Sequence, residues 1–355
     1  MLFSFLYTIW DTGGNKKFKQ DPDFAEPVDV FITAAGEPYE VVKETVQGVK
    51  AMQYPRFQVY ILNDGLAAKK ENWHEMVDLA EREGVHCITR EKSGGAKAGN
   101  INNALRETCN PFVLIFDADH VPHPDFLQKM MPYFTDPNVA FVQSPQFYKN
   151  FKLNYVTTGA WEQQELFFGP ICKGKNRLNA VTMCGTNMVI RREALEQVGG
   201  MDESITEDFT TGMFLHEKGW KSVYVPEVLA EGLAPEDFLS YYKQQFRWAR
   251  GGFDIIFKHN VLRRKGLSAK QKMQYFASIS FYLSGAVLLM YALLPLVFFF
   301  TGLVPFKTST MLLALVFLPY IYLTLYVLRR SANSAFTFNS LAFSMCSFSI
   351  HIKAL

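Results

Sequence analysis

The chain has 355 residues, with 36 Lys plus Arg against 34 Asp plus Glu and a formal net charge of +2. Charge this close to balance excludes a chain that holds nucleic acid by a basic field, and the length allows one sizeable core with further elements attached. The cysteines, Cys87, Cys109, Cys172, Cys184 and Cys346, are odd in number and form no CxxC pair, which argues for a reduced setting and against a disulfide framework.

In chain order, "MLFSFLYTIW" comes first. It is apolar, too short to span a bilayer, and without the basic start of a signal peptide. Residues 1–26 are therefore read as the tail of a membrane helix and a linker. From 27 to 262, short apolar runs alternate with longer amphipathic stretches. "VDVFIT", "QVYILND", "VHCITR", "FVLIFDAD" and "VAFVQS" read as strands; "EVVKETVQGVKAM", "KENWHEMVDLAERE", "KAGNINNALRET" and "PDFLQKMMPYF" read as helices. Strand and helix alternating at this spacing predict an α/β domain with a mostly parallel sheet covered on both faces. Ligands of such sheets bind beyond the carboxyl ends of the strands, where Asp64, Asp117 and Asp119 fall.

Composition shifts at residues 263–355. No charged residue occurs from Met273 to Phe306 or from Thr308 to Leu328, and each run exceeds the roughly 20 apolar residues that cross a bilayer. The first run is longer than one span needs. Its start, "KMQYFASISFYLSG", is expected at the interface, with the span nearer Val287 to Leu303. Arg263, Arg264, Lys265, Lys270 and Lys272 precede the first run, Arg329 and Arg330 follow the second, and only Lys307 lies between. The positive-inside bias then puts both ends of the hairpin and the preceding domain on the cytoplasmic side. Two buried core helices are the alternative. "FNSLAFSMCSFSIHIKAL" opens a third apolar segment, so the chain reads as an internal piece of a larger multi-pass membrane protein.

The chemistry concentrates in "LIFDADH", Leu114 to His120, where two carboxylates stand one residue apart at a strand end. Their repulsion is offset if they bind a hard divalent cation, Mg2+ or Mn2+, that carries a diphosphate. A solvated loop is the alternative for Asp-x-Asp alone. "GGAKAGN" has neither the GxGxxG spacing of dinucleotide binders nor the Gly-Lys-Ser/Thr of a P-loop. "ITED", Ile205 to Asp208, adds a second acidic pair; it also fits a helix start with Thr206 as N-cap. "QQFRW", Gln244 to Trp248, offers a guanidinium for phosphate and an indole for the apolar face of a sugar. It also fits a membrane-surface helix anchored by Trp and Arg.

This ordered set, Asp64 in "NDG", "DAD" at 117–119, "TED" at 206–208 and "QQFRW" at 244–248, resembles the catalytic core of processive family 2 glycosyltransferases. The likeness is nearest to bacterial cellulose synthase catalytic subunits, with relatives that make hyaluronan and chitin, and it covers Val28 to the end. It implies a GT-A fold followed by transmembrane helices. It also implies inverting transfer from a UDP-sugar, best UDP-glucose, to a growing polysaccharide such as a β-1,4-glucan, with N-acetylglucosamine as the second choice. By resemblance, Glu37, Asp64, Lys97, Asp117, Gln244 and Arg247 bind the donor. Asp117 and Asp119 hold the metal, and Asp208 is the general base. Trp248, Cys184 in "CGTN" and Phe168 in "FFGP" meet the acceptor. A lipid bilayer and an accessory export subunit are the further partners implied. Two departures stand out. "TAAGEP" replaces the Thr and Asn that usually precede the Glu retained here as Glu37, and the FxVT gating loop has no match, "AFTFNS" being a poor one. Two other readings compete: a non-processive transferase adding one sugar to a lipid carrier, which does not need QxxRW, and a silent membrane scaffold, which does not need Asp208 and Trp248.

Overall fold

The computed structural model describes residues 2–10, 18, 20–304, 307–331, 343 and 345–355. "AFTFNS", at 335–340, lies outside them. The strands, in chain order, are β1 (Val28–Ala34), β2 (Phe57–Asn63), β3 (His86–Thr89), β4 (Phe112–Asp117), β5 (Val121–Pro122), β6 (Val139–Gln143), β7 (Phe147–Tyr148), β8 (Met188–Arg191), β9 (Lys221–Tyr224) and β10 (Ala230–Gly232). The main sheet runs β3-β2-β1-β4-β8-β6-β9, and β5-β10-β7 form a small second sheet. Only β8 runs antiparallel to its neighbours in the main sheet. At four residues it is too short for its period to be legible in the sequence.

All seven residues of β1 are buried, as expected where both faces of a parallel sheet are covered. Val30 and Ile32 join one core with Leu114 and Phe116, whereas Phe31 joins the opposite core with Val113 and Ile115. The period of two thus feeds two hydrophobic layers from one strand. Asp29 is the charged exception in β1. Its carboxylate is fully buried, bonded by Arg192 Nη2 at 2.8 Å and by the Asn110 side chain at 2.7 Å.

Parallel pairing aligns the strand ends. Ala34 pairs with Asn63 and Thr33 with Asp117, so β1, β2 and β4 finish together at one edge. Four expected helices form at Tyr39–Lys50, His74–Glu83, Ala96–Glu107 and Phe126–Met130. The last gives way to a 3-10 turn, Met131–Thr135, where Pro132 cannot donate an amide to an α-helical ladder.

Beyond the sheet, helix Phe238–Asp254 leads to Ala269–Ser280, a 3-10 turn at Phe281–Leu283, and Ser284–Thr301. Tyr275 and Ile279 are buried against the domain, but along the rest of this helix, from Val287 to Phe300, most apolar side chains are exposed, reaching 79% at Phe299 and Phe300. Ala269–Thr301 and Thr310–Val327 are both long and apolar enough to cross a membrane, and the exposure of their side chains disfavours the core-helix alternative.

Candidate active site

The edge shared by β1, β2 and β4 carries most of the charge. After β1 the chain turns back, and Glu37 Oε2 accepts the Ala35 amide at 2.5 Å. After β2 the Asp64 amide donates to the Ala34 carbonyl at 2.7 Å, which fixes where its carboxylate points. That carboxylate is clasped by Arg90 through two nitrogens, Nη2 lying 2.8 Å from Oδ2. Arg90 also donates to the carbonyls of Gly94 at 2.5 Å and Ala96 at 2.9 Å, so one guanidinium knots "GGAKAGN" to Asp64. The sequence reading did not single out Arg90. It stands one residue past β3, so the strand-end rule applied to β3 would have found it.

Lys97 opens helix Ala96–Glu107, and its ammonium pairs with Asp117 while donating to the Gly185 carbonyl at 2.8 Å. Burial works against this charge, but Asp117 and Glu207 outweigh it and hold the Lys97 pKa above the ordinary lysine range. Asp119 faces His120, Nδ1 to Oδ1 at 2.9 Å, and Oδ2 accepts the Leu233 amide at 3.2 Å. Burial pushes the Asp119 carboxyl up; the His120 hydrogen bond overrides it, and the pKa ends below the usual value.

Among the described residues no cluster of three His, Cys, Asp or Glu could hold a metal. The Asp117 and Asp119 pair nevertheless fits a hard divalent cation. Both carboxylates stay partly exposed, and Asp117 Oδ2 has no protein hydrogen-bond partner among the described residues. Two carboxylates leave the remaining positions of an oxygen-preferring ion to water and phosphate oxygens.

"CGTN" joins this edge to the acidic motif downstream. Thr186 Oγ1 accepts the Asp117 amide at 2.9 Å, and Gln143 Nε2 donates to the Thr186 carbonyl at 2.7 Å. Gly185 has φ +75°, and a Cβ there would sit 3.1 Å from Asp208 Oδ2 and 3.6 Å from Lys97 Nζ. The missing side chain lets the lysine of one motif and the aspartate of another meet at the same backbone.

Asp208 lies in the first turn of helix Glu207–Glu217, and its Oδ1 accepts the Phe209 amide at 2.7 Å. Thr206 occupies the N-cap position as expected but makes no capping bond, and its buried hydroxyl has no hydrogen-bond partner among the described residues. Burial, reinforced by the Glu207 charge, lifts the Asp208 carboxyl to about 7. Burial also raises Glu207, with Lys97 and Arg247 opposing.

"QQFRW" lies within helix Phe238–Asp254, N-capped by Asp237, which accepts the Ser240 amide at 2.9 Å. The helix packs on the acidic motif so closely that a Cβ on Gly251 would collide with the Thr206 side chain. Gln244 and Trp248, one turn apart, line a cavity of about 550 Å³ together with Phe168, Cys184 and Asp208. Arg247 lies on the exposed side of the helix. Tyr148, which the sequence reading missed, reaches this cavity from β7; its hydroxyl accepts from Gln164 Nε2 at 3.0 Å. A buried tyrosine whose partner amides come from Gln164 and, much later in the chain, Gln244 leaves no local sequence signal.

A family model described as glycosyltransferase like family 2 matches residues 25–251, and one described as cellulose synthase matches 196–332. The chain is 33% identical over 330 residues to a UDP-forming cellulose synthase catalytic subunit of Pseudomonas fluorescens, covering 90% of this chain and 44% of that protein. It is 36% identical over 256 residues to the corresponding subunit of Xanthomonas axonopodis pv. citri, covering 70% of this chain and 34% of the other. The chain thus spans less than half the length of these relatives. In fold it is similar to a mannosyltransferase from Pyrobaculum calidifontis in complex with GDP-Man and Mn2+, with a TM-score of 0.63 at 18% identity, covering 98% of this chain and 95% of that one.

Proposed function

We propose, from the premise that this chain belongs to glycosyltransferase-like family 2, that it adds single hexosyl units from a UDP-sugar to a growing polysaccharide at a membrane surface. It is a cellulose-synthase-like glycosyltransferase with a GT-A fold. UDP-glucose is the favoured donor, since the curated relatives are named as UDP-forming cellulose synthases, and a UDP-N-acetylhexosamine is second. The observation that carries the reading is the Gly185 junction, where Lys97, paired with Asp117, and Asp208, lining the cavity, approach one backbone.

In this reading Asp208 takes the proton of an acceptor hydroxyl as its oxygen attacks the anomeric carbon, and the configuration inverts in one step. A hydroxyl is a poor nucleophile without such a base, and a carboxyl lifted to about 7 is a better proton acceptor than an ordinary one. UDP departs with negative charge, toward which Lys97 and Arg247 supply cations. Asp117 and Asp119 would hold Mg2+ or Mn2+, which supplies further charge neutralisation at the diphosphate. Asp64 and Glu37 line the nucleoside end, with Arg90 keeping Asp64 aimed. Gln244 faces the diphosphate, and Trp248, Cys184 and Phe168 contact the acceptor chain, whose exit follows the apolar helices. The domain of residues 27–262 would be cytoplasmic and residues 263–355 membrane-embedded, with an accessory export subunit beyond. The test is incubation of the whole protein, in membranes, with radiolabelled UDP-sugars in turn. Polymer from UDP-glucose alone supports the reading; a single sugar on a lipid carrier, with no polymer, overturns it.

A further inference from the structure

The same cavity contains a cation that the catalytic reading does not use. Lys175, in helix Cys172–Arg177, lines it and is 2% exposed. Its ammonium donates to two neutral hydroxyls, Thr182 Oγ1 at 2.7 Å and Ser278 Oγ at 2.6 Å. It enters no ion pair among the described residues, whereas Lys97, Arg90 and Arg192 each have a carboxylate. An ammonium has three protons, so one remains for the cavity.

The surroundings share this bias. Thr182, 5% exposed and lining the cavity, accepts from Lys175, and its own hydroxyl proton meets no acceptor among the described residues. Gln274, 1% exposed and also lining it, accepts from Thr8 Oγ1 at 2.9 Å through Oε1, while its buried Nε2 has no partner among the described residues. Ser278 spends its proton on the Gln274 carbonyl at 3.1 Å. The patch offers donors without acceptors and carries one positive charge. Burial pulls Lys175 down to about 8, the direction expected of a cation with no carboxylate beside it. Leaving such a charge buried and unpaired is expensive, and the cost is offset when an anion with good hydrogen-bond geometry arrives.

We infer that Lys175, with Thr182 and Gln274, forms a subsite for a carboxylate-bearing sugar, so that the acceptor chain onto which glucosyl units are added already carries a uronate. This rests on the reading of the cavity as the acceptor site. It leaves the donor untouched, since a glucosyl unit can be added to a chain whose earlier sugar is a uronate.

The test compares cellotetraose with the same oligosaccharide oxidised at C6 to glucuronate, titrated onto the whole protein and then offered as acceptors with a UDP-sugar. The wild type is expected to bind the acidic chain at least about tenfold more tightly, the scale of a charge-assisted hydrogen bond. Lys175→Met should erase the preference while UDP affinity stays unchanged, and Lys175→Arg should restore part of it. Replacing a buried ion by an apolar side chain of similar length is often neutral for folding, and unchanged UDP affinity reports an intact domain. Equal binding of the two oligosaccharides by the wild type, or a preference that survives in Lys175→Met, overturns the inference. Preferential binding of the acidic chain without transfer to either oligosaccharide from any UDP-sugar would sustain the subsite and strike the glycosyltransferase reading instead.

Discussion

The two ends of the site treat charge in opposite ways. At the strand edge each ion has a partner: Asp64 with Arg90, Asp117 with Lys97, Asp119 with His120. In the cavity beyond Asp208 the walls are aromatic rings, amides, hydroxyls and the Lys175 ammonium, with buried polar atoms of Thr206 and Gln274 unpartnered among the described residues. The first arrangement suits a ligand that arrives as a compact polyanion with its own cation, because the carboxylates there are already oriented before it binds. The second suits a hydroxyl-rich chain that must slide: many modest contacts, few strong ones. If this division is right, substitutions at the strand edge should abolish chemistry, and substitutions in the cavity should change how the chain is held.

The largest effect is expected from Asp119→Ala. Loss of one of two carboxylates for a divalent cation removes charge stabilisation worth several kcal/mol, or about a thousandfold in rate. Stripping the wild type with EDTA should match it, with recovery on adding Mn2+ or Mg2+. Undiminished transfer by Asp119→Ala in EDTA would remove the metal from the strand edge and with it half of the contrast.

Asp208→Asn, at the junction of the two ends, keeps the size and loses proton acceptance. Transfer should fall about 10²–10⁴-fold while UDP affinity is spared. The pH profile gives the same residue a second readout. Burial raises the Asp208 pKa in the folded chain, so its protonated form is the one the fold favours. Its contribution to stability is therefore complete below the ordinary carboxylate range and is lost as pH rises through about 7. Catalysis runs the other way, because the base acts ionised: kcat/KM should climb with pH through that same region, and the climb should vanish in Asp208→Asn. A loss smaller than tenfold would assign the proton to another group.

How much of this was legible beforehand follows from locality. Asp64, Asp117 and Asp119 could be placed because a buried parallel strand is a continuous apolar run and its end is a fixed address. Helix Phe238–Asp254 was legible as "QQFRW", with two cavity-lining residues one turn apart. The Gly185 junction was not, because it depends on β8 entering antiparallel between β4 and β6, and four residues carry too little period to announce that. Nor was Lys175, whose chemistry comes from the hydroxyl of Ser278, 103 residues later. Arg90 falls between these cases: it sits at a strand end, but its meaning needs the clasp on Asp64. Arg90→Met should therefore leave a mostly buried carboxylate alone. A cost of about 3 kcal/mol, the low end for removing one partner of a buried pair, should appear as a lower Tm together with weaker UDP binding. A lower Tm with UDP affinity intact would make the clasp a folding device rather than part of the donor site.

The smallest effect is expected on the cavity side, from Trp248→Ala. The indole lines the cavity one turn after Gln244, so in the proposed reading a single stretch of helix would face both the donor end and the chain being extended. Stacking on a sugar face is worth on the order of 1 kcal/mol beyond the buried area, a several-fold change in acceptor affinity rather than a loss of turnover. If the division between the two ends holds, Trp248→Ala should raise the KM for an acceptor oligosaccharide and shorten the polymer, because each chain has a greater chance of leaving between additions, and UDP affinity should not move. The membrane-anchor alternative predicts otherwise: Trp248 would then act through the seating of its helix, and the substitution should lower expression and membrane integration while the molecules that do fold make polymer of normal length. Expression level, UDP affinity and product length measured on this one variant separate the two. Unchanged length and rate in well-folded Trp248→Ala would mean that the cavity does not grip the chain through its indole, and the single-sugar transferase would become the better account of the site.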